Sequence, residues 1–435
     1  MAEKLNVFWF RRDLRLHDNR GFYKALCGKH AVMPIFIFDT EILDSLPKDD
    51  ARVTFIHDTL QELRNELQEH GSSIAIYHGT PQKVFSEIIS EFNIQNVITN
   101  HDYEPYAKER DQNIKDFLAE KNIGFHTFKD QVIFEKDEVV KDDGDPYVVY
   151  TPYSKKWLDN FKKLDNFKVY DPSSKWKQLY QHSRLSNLTL GDIGFERSSI
   201  KVPDYNISEE TLKNYKDTRN YPAKSPGTSH LSPHLRFGTI GIRSLVKKAT
   251  EVKDQTFLKE LIWREFFMQI LWHYPETVNN AFRAKYDRIE WRNKESEFEK
   301  WKKGETGYPL VDAGMRELNE TGFMHNRVRM IVGSFLCKHL LIDWRWGEAY
   351  FAEKLLDYEM SSNVGNWQWV AGSGVDAAPY FRIFNPTTQI EKFDKDRKYI
   401  KKWVPEVDSD SYPEKMVDHK KARERCLNTY KSAVQ

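Results

Sequence analysis

The sequence predicts an α/β protein with two structural halves: an N-terminal doubly wound domain on a parallel sheet, and a C-terminal domain made only of helices. Three observations lead to this fold class. The chain has 435 residues, which exceeds one typical domain. Short apolar segments alternate with helical patterns over the first 130 residues. Beyond residue 205 the apolar patterns have the helical period, and nine of the twelve tryptophans follow residue 260.

The N-terminal alternation is carried by five apolar runs: NVFWF, AVMPIFIF, SSIAIYH, NVIT and GFHTF. The helix predicted over residues 51–70 is the clearest, because apolar residues recur every three or four positions before Gly71. Thr80 followed by Pro81 predicts the start of another helix. Together these signals predict a Rossmann-like domain over residues 1–130.

No phosphate-binding loop follows the first predicted strand. The strand leads into RRDLRLHDN, and neither a G-x-G-x-x-G pattern nor a Walker lysine loop occurs downstream. We therefore expect no standard NAD or ATP site on this sheet. A nucleotide hydrolase, which the α/β half alone would suggest, lacks its phosphate loop.

Residues 131–205 interrupt the alternation with polar stretches such as KDDGDPYVV and DPSSKWKQ. They predict a long connector that wraps the surface. Residues 206–435 then predict long helices joined by short turns that contain Gly or Asn. The aromatic share of 14% is the one unusual feature of the composition, and it belongs to this helical half.

The cysteine pattern and the charge limit the cellular compartments and the kinds of binding partner that this protein can have. Cys27, Cys337 and Cys426 show no C-x-x-C spacing, which argues for a reducing compartment without disulfides or a zinc site. Charge comes too early at the N-terminus for a secretory signal, and the run AVMPIFIF is too short to span a bilayer. We expect a cytoplasmic protein with no membrane association. The net charge of +1 means that any nucleic-acid binding must use a local basic patch.

The segment GTSHLSP at 227–233 combines a flexible glycine, hydroxyl groups and a Ser-Pro helix start. Free amides at that start can hold phosphate, although a capped helix with nothing bound explains the same residues. His230 and His234 have the spacing of a helical metal pair. The helix start falls between them and no third ligand is apparent, so we predict no metal site.

The segment ELIWREFF places Glu260, Trp263, Arg264 and Phe267 on one helix face. This face fits a polar ligand, or a surface salt bridge beside a buried tryptophan. Buried carboxylate, guanidinium and amide groups need partners, which a ligand or a protein-only network would supply. Two further segments raise the same alternatives: GFMHNRVRM and LLDYEMSSNVGNWQW.

Considered together, these segments resemble the photolyase/cryptochrome family in order, spacing and extent over essentially the whole chain. The segments that carry the resemblance are WFRRDLRLHDN, GTSHLS, ELIWREF, TGYPLVDAGMRELNETGFMHNRVRM, LLIDWRWGE and NWQWVAGSGVDAAPYFRIFNPTTQIEKFD. The resemblance implies an N-terminal antenna domain (1–130), a connector (131–205) and an all-α, FAD-binding catalytic domain (206–435). It also implies a DNA-repair lyase in which photoexcited FADH⁻ donates an electron to a cyclobutane pyrimidine dimer, the dimer splits and the electron returns.

The resemblance also implies the flavin contacts. Arg264 would help to neutralise the phosphates, Asp357 would pair with Arg329 beside the isoalloxazine, and Asn363 would face the reactive nitrogen. An amide at Asn363 is the photolyase choice, where signalling members often carry Asp or Cys. The full set of implied flavin positions is Tyr215, Thr228, Ser229, Leu231, Ser232, Phe257, Arg264, Asn326, Arg329, Asp357, Glu359 and Asn363.

Three tryptophans, Trp367, Trp344 and Trp291, fall on the family's electron-transfer chain from flavin to surface. With Glu260 and Asn363 they complete the implied catalytic set. An indole is large and oxidisable, so these residues are expected to supply electrons to the flavin rather than only to pack.

The implied substrate is UV-damaged DNA that contains a pyrimidine dimer, extruded from the duplex into a pocket. Glu260 and Asn326 would hydrogen-bond the thymine edges, and Trp263 and Trp369 would stack on the dimer. The pattern HNRVRM, with Met330, is that of class I cyclobutane-dimer enzymes, whereas (6-4) photolyases carry histidines there. Phosphate contacts are implied for Arg219, Arg327 and Arg382.

Some positions depart from the family pattern and can tune the flavin. Phe257 and Phe323 stand where relatives commonly have Trp, and Glu359 stands where they have Asp. The identity of the antenna chromophore is left undetermined by the sequence. Folate-binding relatives use positions that hold Tyr106, Ala107 and Val278 here, which makes methenyltetrahydrofolate doubtful. Deazaflavin or FMN, or an empty antenna site, are the alternatives.

Two other functions stay open. A blue-light signalling cryptochrome is expected to carry a C-terminal extension, and Asn363 argues against it. A (6-4) or DASH-type photolyase would differ in the lesion or the strand context that it repairs. We expect a monomer without an obligate protein partner.

Overall fold

The computed structural model describes residues 3–434, which divide into two compact units. The first unit contains the described residues up to Glu138, together with Asn160–Pro203 and Leu231–Glu251. The second contains Val139–Asp159, Asp204–His230 and the described residues from Val252 onward. Each unit is built from several chain segments, so the chain passes between the units more than once.

A five-stranded parallel sheet forms the centre of the first unit, in the order β3-β2-β1-β4-β5. In β1, Val7 lies beside Met33 of β2 and Val97 of β4. The chain builds one side of β1 first and then returns to the other side, which is the doubly wound topology that the sequence predicts. The strands are β1 (Lys4–Phe10), β2 (Ala31–Phe38), β3 (Ala75–His78), β4 (Asn93–Asn100) and β5 (Gly124–Phe128).

Helices make up most of the remaining regular structure. A π-helical turn over Phe335–Leu340 separates α13 from α14. In chain order the helices are α1 (Arg20–Leu26), α2 (Thr40–Leu43), α3 (Ala51–Glu69), α4 (Pro81–Glu91), α5 (Pro105–Glu120), α6 (Tyr150–Lys162), α7 (Glu209–Thr218), α8 (Ser232–Phe237), α9 (Ile242–Thr250), α10 (Thr256–His273), α11 (Glu295–Lys303), α12 (Pro309–Thr321), α13 (Asn326–Ser334), α14 (Trp344–Lys354), α15 (Met360–Ala371), α16 (Pro386–Phe393), α17 (Lys398–Trp403) and α18 (His419–Val434).

Helices α3 and α4 begin where the sequence predicts helices over residues 51–70 and from Pro81. The side chain of Asp50 accepts a hydrogen bond from the Arg52 amide (2.8 Å) and caps α3, which ends just before His70. Thr80 is the N-cap residue of α4 and Pro81 its first residue, but the Thr80 hydroxyl makes no capping hydrogen bond. Proline at the first position is therefore the feature that defines this helix start.

Both faces of the sheet are buried, because alternate residues of each strand belong to different apolar cores. Phe8 and Phe10 of β1 pack in one core, and Val7 and Trp9 pack in the other. This two-sided burial explains why the strand sequences are continuous apolar runs rather than alternating ones. The predicted α/β class, with a doubly wound sheet domain and a helical domain, is confirmed.

Residues 131–205 differ from the surface connector that the sequence predicts. Their later part contributes buried side chains to a core of the first unit, and their middle part forms most of α6 in the second unit. These apolar residues are scattered among polar ones, so they carry no period that a sequence pattern could detect. The buried residues are Leu179, Leu190, Ile193 and Phe195.

The motif that follows β1 forms a closed ion-pair cluster within the first unit. Arg15 and Arg243 both donate to Asp130 at 2.5 Å, and Arg243 Nε donates to Asp18 at 2.7 Å. Burial alone would raise the pKa of Asp130, but the two guanidinium groups hold it at about 2. Charged side chains thus fill the position where a glycine-rich phosphate loop would lie in a standard dinucleotide-binding domain.

A large apolar core occupies the second unit and is rich in aromatic rings. Trp301, Trp344 and Trp367 are buried in it, which accounts for the concentration of tryptophan in this half of the sequence. Cys337 and Cys426 are buried and Cys27 is exposed, and all three thiols are free. Across residues 3–434 no helix is long and apolar enough to cross a lipid bilayer.

Candidate functional site

The predicted site residues of the second unit lie mainly on four helices. Arg219 is the C-cap residue of α7, α10 carries Glu260 and Trp263, α13 begins with Asn326, and α15 carries Asn363. Helix α10 has apolar residues on most of its surface, so its few polar side chains stand out. The side-chain contacts of these helices show which predicted residues meet.

Glu260 and Arg219 form a two-pronged ion pair that joins α10 to the end of α7. Arg219 Nη2 lies 2.9 Å from Glu260 Oε2, and Arg219 Nη1 contacts the other carboxylate oxygen. The two side chains keep 22% and 32% of their surface exposed, so a ligand can still reach them. Burial opposes the charge on Arg219, but the Glu260 carboxylate raises the pKa of that guanidinium.

Asn326 connects α13 to the same pair. With its amide oriented to satisfy both neighbours, its nitrogen donates to the Arg219 carbonyl (3.1 Å) and its oxygen accepts from the Arg327 amide (3.3 Å). Two residues predicted to hold the thymine edges, Glu260 and Asn326, are therefore linked through Arg219. This arrangement brings the predicted lesion contacts and a predicted phosphate contact into one cluster.

Arg327 extends the cluster along α13. Its Nη2 donates to Asn220 Oδ1 (2.6 Å), its Nη1 lies 3.8 Å from the sulfur of Met330, and its guanidinium stacks on Phe393 at 4.4 Å. Burial, followed by repulsion from Arg219, lowers the pKa of Arg327. Asn220 and Phe393 were not predicted as site residues; Asn220 follows the predicted Arg219 directly, and Phe393 lies in the segment PTTQIEKFD.

Trp263 has a neighbour that the sequence did not indicate. Its indole stacks on the ring of Tyr150, with centroids 3.7 Å apart and planes 6° from parallel. The Tyr150 hydroxyl donates to the carbonyl of Lys259 on α10 (2.7 Å), so the ring is fixed at both ends. Tyr150 lies in the predicted connector, and the only available signal was the aromatic density of the stretch YVVYTPY.

Arg329 and Asp357 pair as the resemblance implies. The guanidinium donates twice, with Nη1 and Nη2 lying 3.1 and 2.8 Å from the two carboxylate oxygens. The Asp357 side chain is only 4% exposed, so this is a well-ordered bidentate pair. Arg329 Nε also donates to the Met324 carbonyl (2.7 Å), which fixes the plane of the guanidinium.

Glu359 and Asn363 are held at the start of α15. Glu359 is the N-cap of this helix, and its carboxylate accepts from the amides of Ser361 and Ser362. The Asn363 amide donates to Glu348 twice, to the backbone carbonyl (3.1 Å) and to Oε1 (2.9 Å). Burial raises the pKa of Glu348, and the Asn363 hydrogen bond opposes that rise. Glu348 was not predicted, and no sequence signal distinguishes it from a surface glutamate.

The three tryptophans of the predicted electron chain belong to one region of the second unit. Trp344 and Trp367 are buried in the same core, and Trp291 is partly buried and packs against that core. Gly347 makes room for Trp367: a Cβ at this position would lie 2.1 Å from the indole Cη2. Gly347 lies one turn along α14 from Trp344, so the absence of its side chain brings Trp367 against the helix that carries Trp344.

Some of the residues predicted to contact FAD near its phosphate and ribose lie close to one another in the structure. Tyr215 is buried and meets Phe257 edge to face at 5.2 Å, and the guanidinium of Arg219 lies 5.6 Å from its ring. Burial, with Glu260 as a second cause, raises the pKa of Tyr215 to about 12. Ser229 is buried, and its carbonyl accepts from the Asn206 amide at 2.8 Å.

The remaining predicted site residues lie at several other places in the fold. Leu231 and Ser232, at the start of α8, belong to the first unit, and Ser232 is exposed. Arg382 is exposed in the loop between α15 and α16, and Trp369 is partly buried on α15. Helix α8 has only six residues and no side-chain cap, which weakens the phosphate interpretation of GTSHLSP from helix geometry alone. Thr228 and Arg264 are partly buried.

A small pocket of about 20 Å³ lies between α10 and α15 in the second unit. Its walls are mainly apolar and include Phe267, Ile270 and Val364, with Gln368 as one of the polar lining residues. None of the residues predicted to bind the flavin, the dimer or DNA phosphate lines it. The pocket is therefore distinct from the polar cluster that contains Glu260.

The donor set fits the flavin that the resemblance implies. An isoalloxazine needs polar groups along its edge, and the paired Arg329 and Asp357 with the anchored Asn363 supply donors and acceptors of that kind. Its diphosphate needs a cationic donor, which Arg264 carries on α10. Among residues 3–434 no three His, Cys, Asp or Glu side chains come together as a metal site.

Comparison with known proteins assigns the family. The family described as DNA photolyase matches residues 6–174, and the FAD binding domain of DNA photolyase matches residues 257–411. The chain is 36% identical to the deoxyribodipyrimidine photo-lyase of Halobacterium salinarum, over 99% of both chains. These matches confirm the predicted family and, with it, the expectation of an FAD-dependent lyase.

Two solved structures have the same fold over nearly their full length. A bacterial class III photolyase from Agrobacterium tumefaciens superposes with a TM-score of 0.88 at 33% identity, over 100% of this chain and 98% of that one. A cryptochrome from Synechocystis superposes with a TM-score of 0.87 at 26% identity, over 99% of each chain. The chain belongs to the photolyase/cryptochrome family, and its cofactor is FAD.

Proposed function

We propose that this protein repairs cyclobutane pyrimidine dimers in DNA by light-driven electron transfer. The single observation that supports this proposal best is the link from Glu260 through Arg219 to Asn326. It joins the two residues expected on the thymine edges to one expected on a DNA phosphate. The relatives named deoxyribodipyrimidine photo-lyase agree with this assignment.

FAD, when bound, supplies the photoexcitable electron donor, and the protein's own residues bind and orient the two partners. Arg329 and Asp357 hold each other in a fixed plane, and Asn363 is anchored by Glu348, so these groups need little reorganisation when a ligand arrives. Trp344 and Trp367 place oxidisable rings in the apolar core, shielded from water.

Glu260 and Asn326 are proposed to hydrogen-bond the thymine edges, and Trp263 and Trp369 to stack on the dimer. Binding would exchange part of the Arg219 contact of Glu260 for the dimer, which the partial exposure of both side chains permits. The stacked Tyr150 already fixes the plane of Trp263, so the indole is preorganised to pack against the dimer.

The test is repair of an oligonucleotide that contains one thymine dimer, under blue light and with chemically reduced flavin. We expect light-dependent conversion of the dimer to two thymines, measured by chromatography, and no conversion in the dark. A matched oligonucleotide with a (6-4) photoproduct separates the alternative lesion. Loss of neither lesion would favour the signalling role that the similarity to a cryptochrome raises.

The remaining assignments are proposals of the same kind. The antenna is proposed to be a deazaflavin or FMN rather than methenyltetrahydrofolate, or to be absent. In the first unit, Tyr106 donates to Asp39 and Ala107 is buried, which leaves these two positions engaged within the protein. A cytoplasmic, monomeric state also stays a prediction.

A further inference from the structure

Among the buried side-chain nitrogens of the second unit that have no hydrogen-bond partner within residues 3–434, four belong to residues near Arg219 and His325. They are Arg219 Nε, His230 Nδ1, His325 Nε2 and Arg327 Nε. Because a buried donor without an acceptor loses its hydrogen bonds to water and gains none in return, a native chain rarely leaves several in one place. Such a group of atoms points to an acceptor that the protein itself does not supply.

The four residues occupy one region. Asn326 joins the backbone of Arg219 to that of Arg327, and Asn220, next to Arg219 in sequence, accepts from Arg327. His325 precedes Asn326, and the charges of Arg219 and Arg327 and the His230 ring all act on its imidazole. The four side chains that carry these nitrogens are therefore neighbours in the fold, although they come from three separate chain segments.

The tautomer of His325 follows from its neighbours. Its Nδ1 accepts the Arg327 amide at 3.1 Å and caps α13, so in the neutral ring the proton is on Nε2. Burial, together with the nearby arginines, lowers the pKa of His325 to about 3, which keeps the ring neutral at physiological pH. His325 Nε2 is thus a buried N–H donor that points to no protein acceptor within residues 3–434.

The charge balance of the same region is positive. Arg219 is compensated by Glu260, and Arg329 is compensated by Asp357. Arg327 contacts an amide, a thioether and an aromatic ring, and no carboxylate among residues 3–434 forms an ion pair with it. One cation without a counter-charge, the Nε–H of Arg219 and the Nε2–H of His325 match an anion with several oxygens, such as a phosphate, and His230 becomes a further donor in the tautomer that carries its proton on Nδ1.

We propose that His325 donates from Nε2 to a phosphate oxygen, in a socket that His230, Arg219 and Arg327 complete. This inference rests on the proposed function for its ligands. The phosphate belongs either to the diphosphate of FAD or to the DNA backbone beside the extruded dimer. In both cases His325 is a binding residue that the resemblance did not assign.

Two substitutions at His325 separate this role from its role as a helix cap. His325→Asn keeps an acceptor near the Nδ1 position and deletes the Nε2 donor, whereas His325→Gln keeps a donor near Nε2 and loses the cap. The socket predicts that His325→Asn weakens ligand binding about tenfold and that His325→Gln retains most of it. A purely structural cap predicts the opposite order.

Binding is measured in three titrations of the full chain: FAD by flavin fluorescence, dimer-containing oligonucleotide by anisotropy, and inorganic pyrophosphate by the shift of the unfolding midpoint. A tenfold loss for FAD alone assigns the flavin diphosphate, and a loss for the oligonucleotide alone assigns the DNA backbone. Wild-type affinities in His325→Asn, or equal losses in both variants, would overturn the socket. Pyrophosphate binding measures the socket without requiring dimer repair. The proposed socket and the proposed repair function can therefore be contradicted independently of each other.

Discussion

Two charged clusters in this protein differ in whether the chain completes them. In the first unit, Asp130 receives hydrogen bonds from both Arg15 and Arg243, and Asp18 also binds Arg243. In the second unit, the cluster around Arg327 retains nitrogens without partners and a cation without a counter-charge. Both clusters are rich in arginine, so composition alone does not distinguish them.

This difference shows how a structural network can be distinguished from a binding site: by whether its buried polar groups have partners within the chain. A closed network satisfies its buried groups within the chain and contributes to stability and to the orientation of its segments. An open network contains unsatisfied buried groups whose unfavourable free energy is offset by other contacts in the protein. Such a network is stabilised when a ligand binds and satisfies these groups. The first cluster is therefore expected to respond to mutation in stability, and the second in binding.

The largest effect is expected from Asp130→Asn, which leaves the buried guanidinium groups of Arg15 and Arg243 undercompensated. We expect a loss of about 3–5 kcal/mol in the free energy of unfolding of the first unit, measured in urea. Asp58→Asn is the matched control, because Asp58 forms a bidentate but exposed pair with Arg197 and its removal is expected to cost at most about 1 kcal/mol. Equal losses in the two variants would contradict the account of the closed cluster.

The same aspartate predicts a pH dependence. Its pKa is about 2 in the folded protein and about 3.9 in an unfolded chain, so its stabilisation is complete above pH ~4 and is lost as pH falls through 2. The stability difference between wild type and Asp130→Asn should narrow by roughly 2 kcal/mol between pH 5 and pH 2. A difference that stays constant over this range would show that the pKa of Asp130 is not depressed.

Gly347→Ala tests the packing of the predicted electron chain. The added Cβ would overlap the indole of Trp367, so we expect a loss of about 1–3 kcal/mol in the second unit and a shifted tryptophan fluorescence spectrum. Gly191→Ala is the control, because a Cβ there meets nothing closer than 3.7 Å. Unchanged stability in Gly347→Ala would mean that Trp367 does not lie against α14.

Glu260→Gln removes the counter-charge of Arg219 in the second-unit cluster around Arg327, and so tests the difference between the two clusters. We expect affinity for undamaged DNA to rise a few-fold, because a cation is released, and discrimination in favour of dimer-containing DNA to fall about tenfold. Anisotropy titrations with the two oligonucleotides measure both. Glu353→Gln, which breaks an exposed pair with Lys354, should change neither affinity by more than about twofold.

The smallest effect is expected at Tyr150. Tyr150→Leu removes the ring that stacks on Trp263 and should weaken dimer binding by about two- to tenfold. Tyr150→Phe keeps the ring and loses only the hydrogen bond to Lys259, so it should bind nearly as wild type does. If the two variants behaved alike, the stacking geometry would not matter for the substrate.

The fold was predictable from sequence because its signals are local and repeated. The five apolar runs became the five strands, and the periodic stretch that contains Leu60 became α3. The role of residues 131–205 was not predictable, since Leu179 and Phe195 are buried by tertiary contacts that leave no period in the sequence. Tyr150 was missed for the same reason.

The candidate site was predictable where a residue lies within a specific motif. The pairing of Arg329 with Asp357 was expected and is found. The link between Glu260 and Asn326 through Arg219 was not expected, because it joins three segments far apart in the chain. The unpartnered Nε2 of His325 depends on burial and on the tautomer, neither of which a sequence pattern contains.

Hydrogen exchange of the FAD-loaded protein tests the contrast between the two clusters most directly. It compares an oligonucleotide that carries one thymine dimer with its undamaged counterpart. We predict that the dimer adds protection in α7, α10 and α13 and leaves the segments around Asp18 and Asp130 unchanged. Equal protection by both oligonucleotides, or protection confined to the first unit, would contradict an open, ligand-completed site in the second unit.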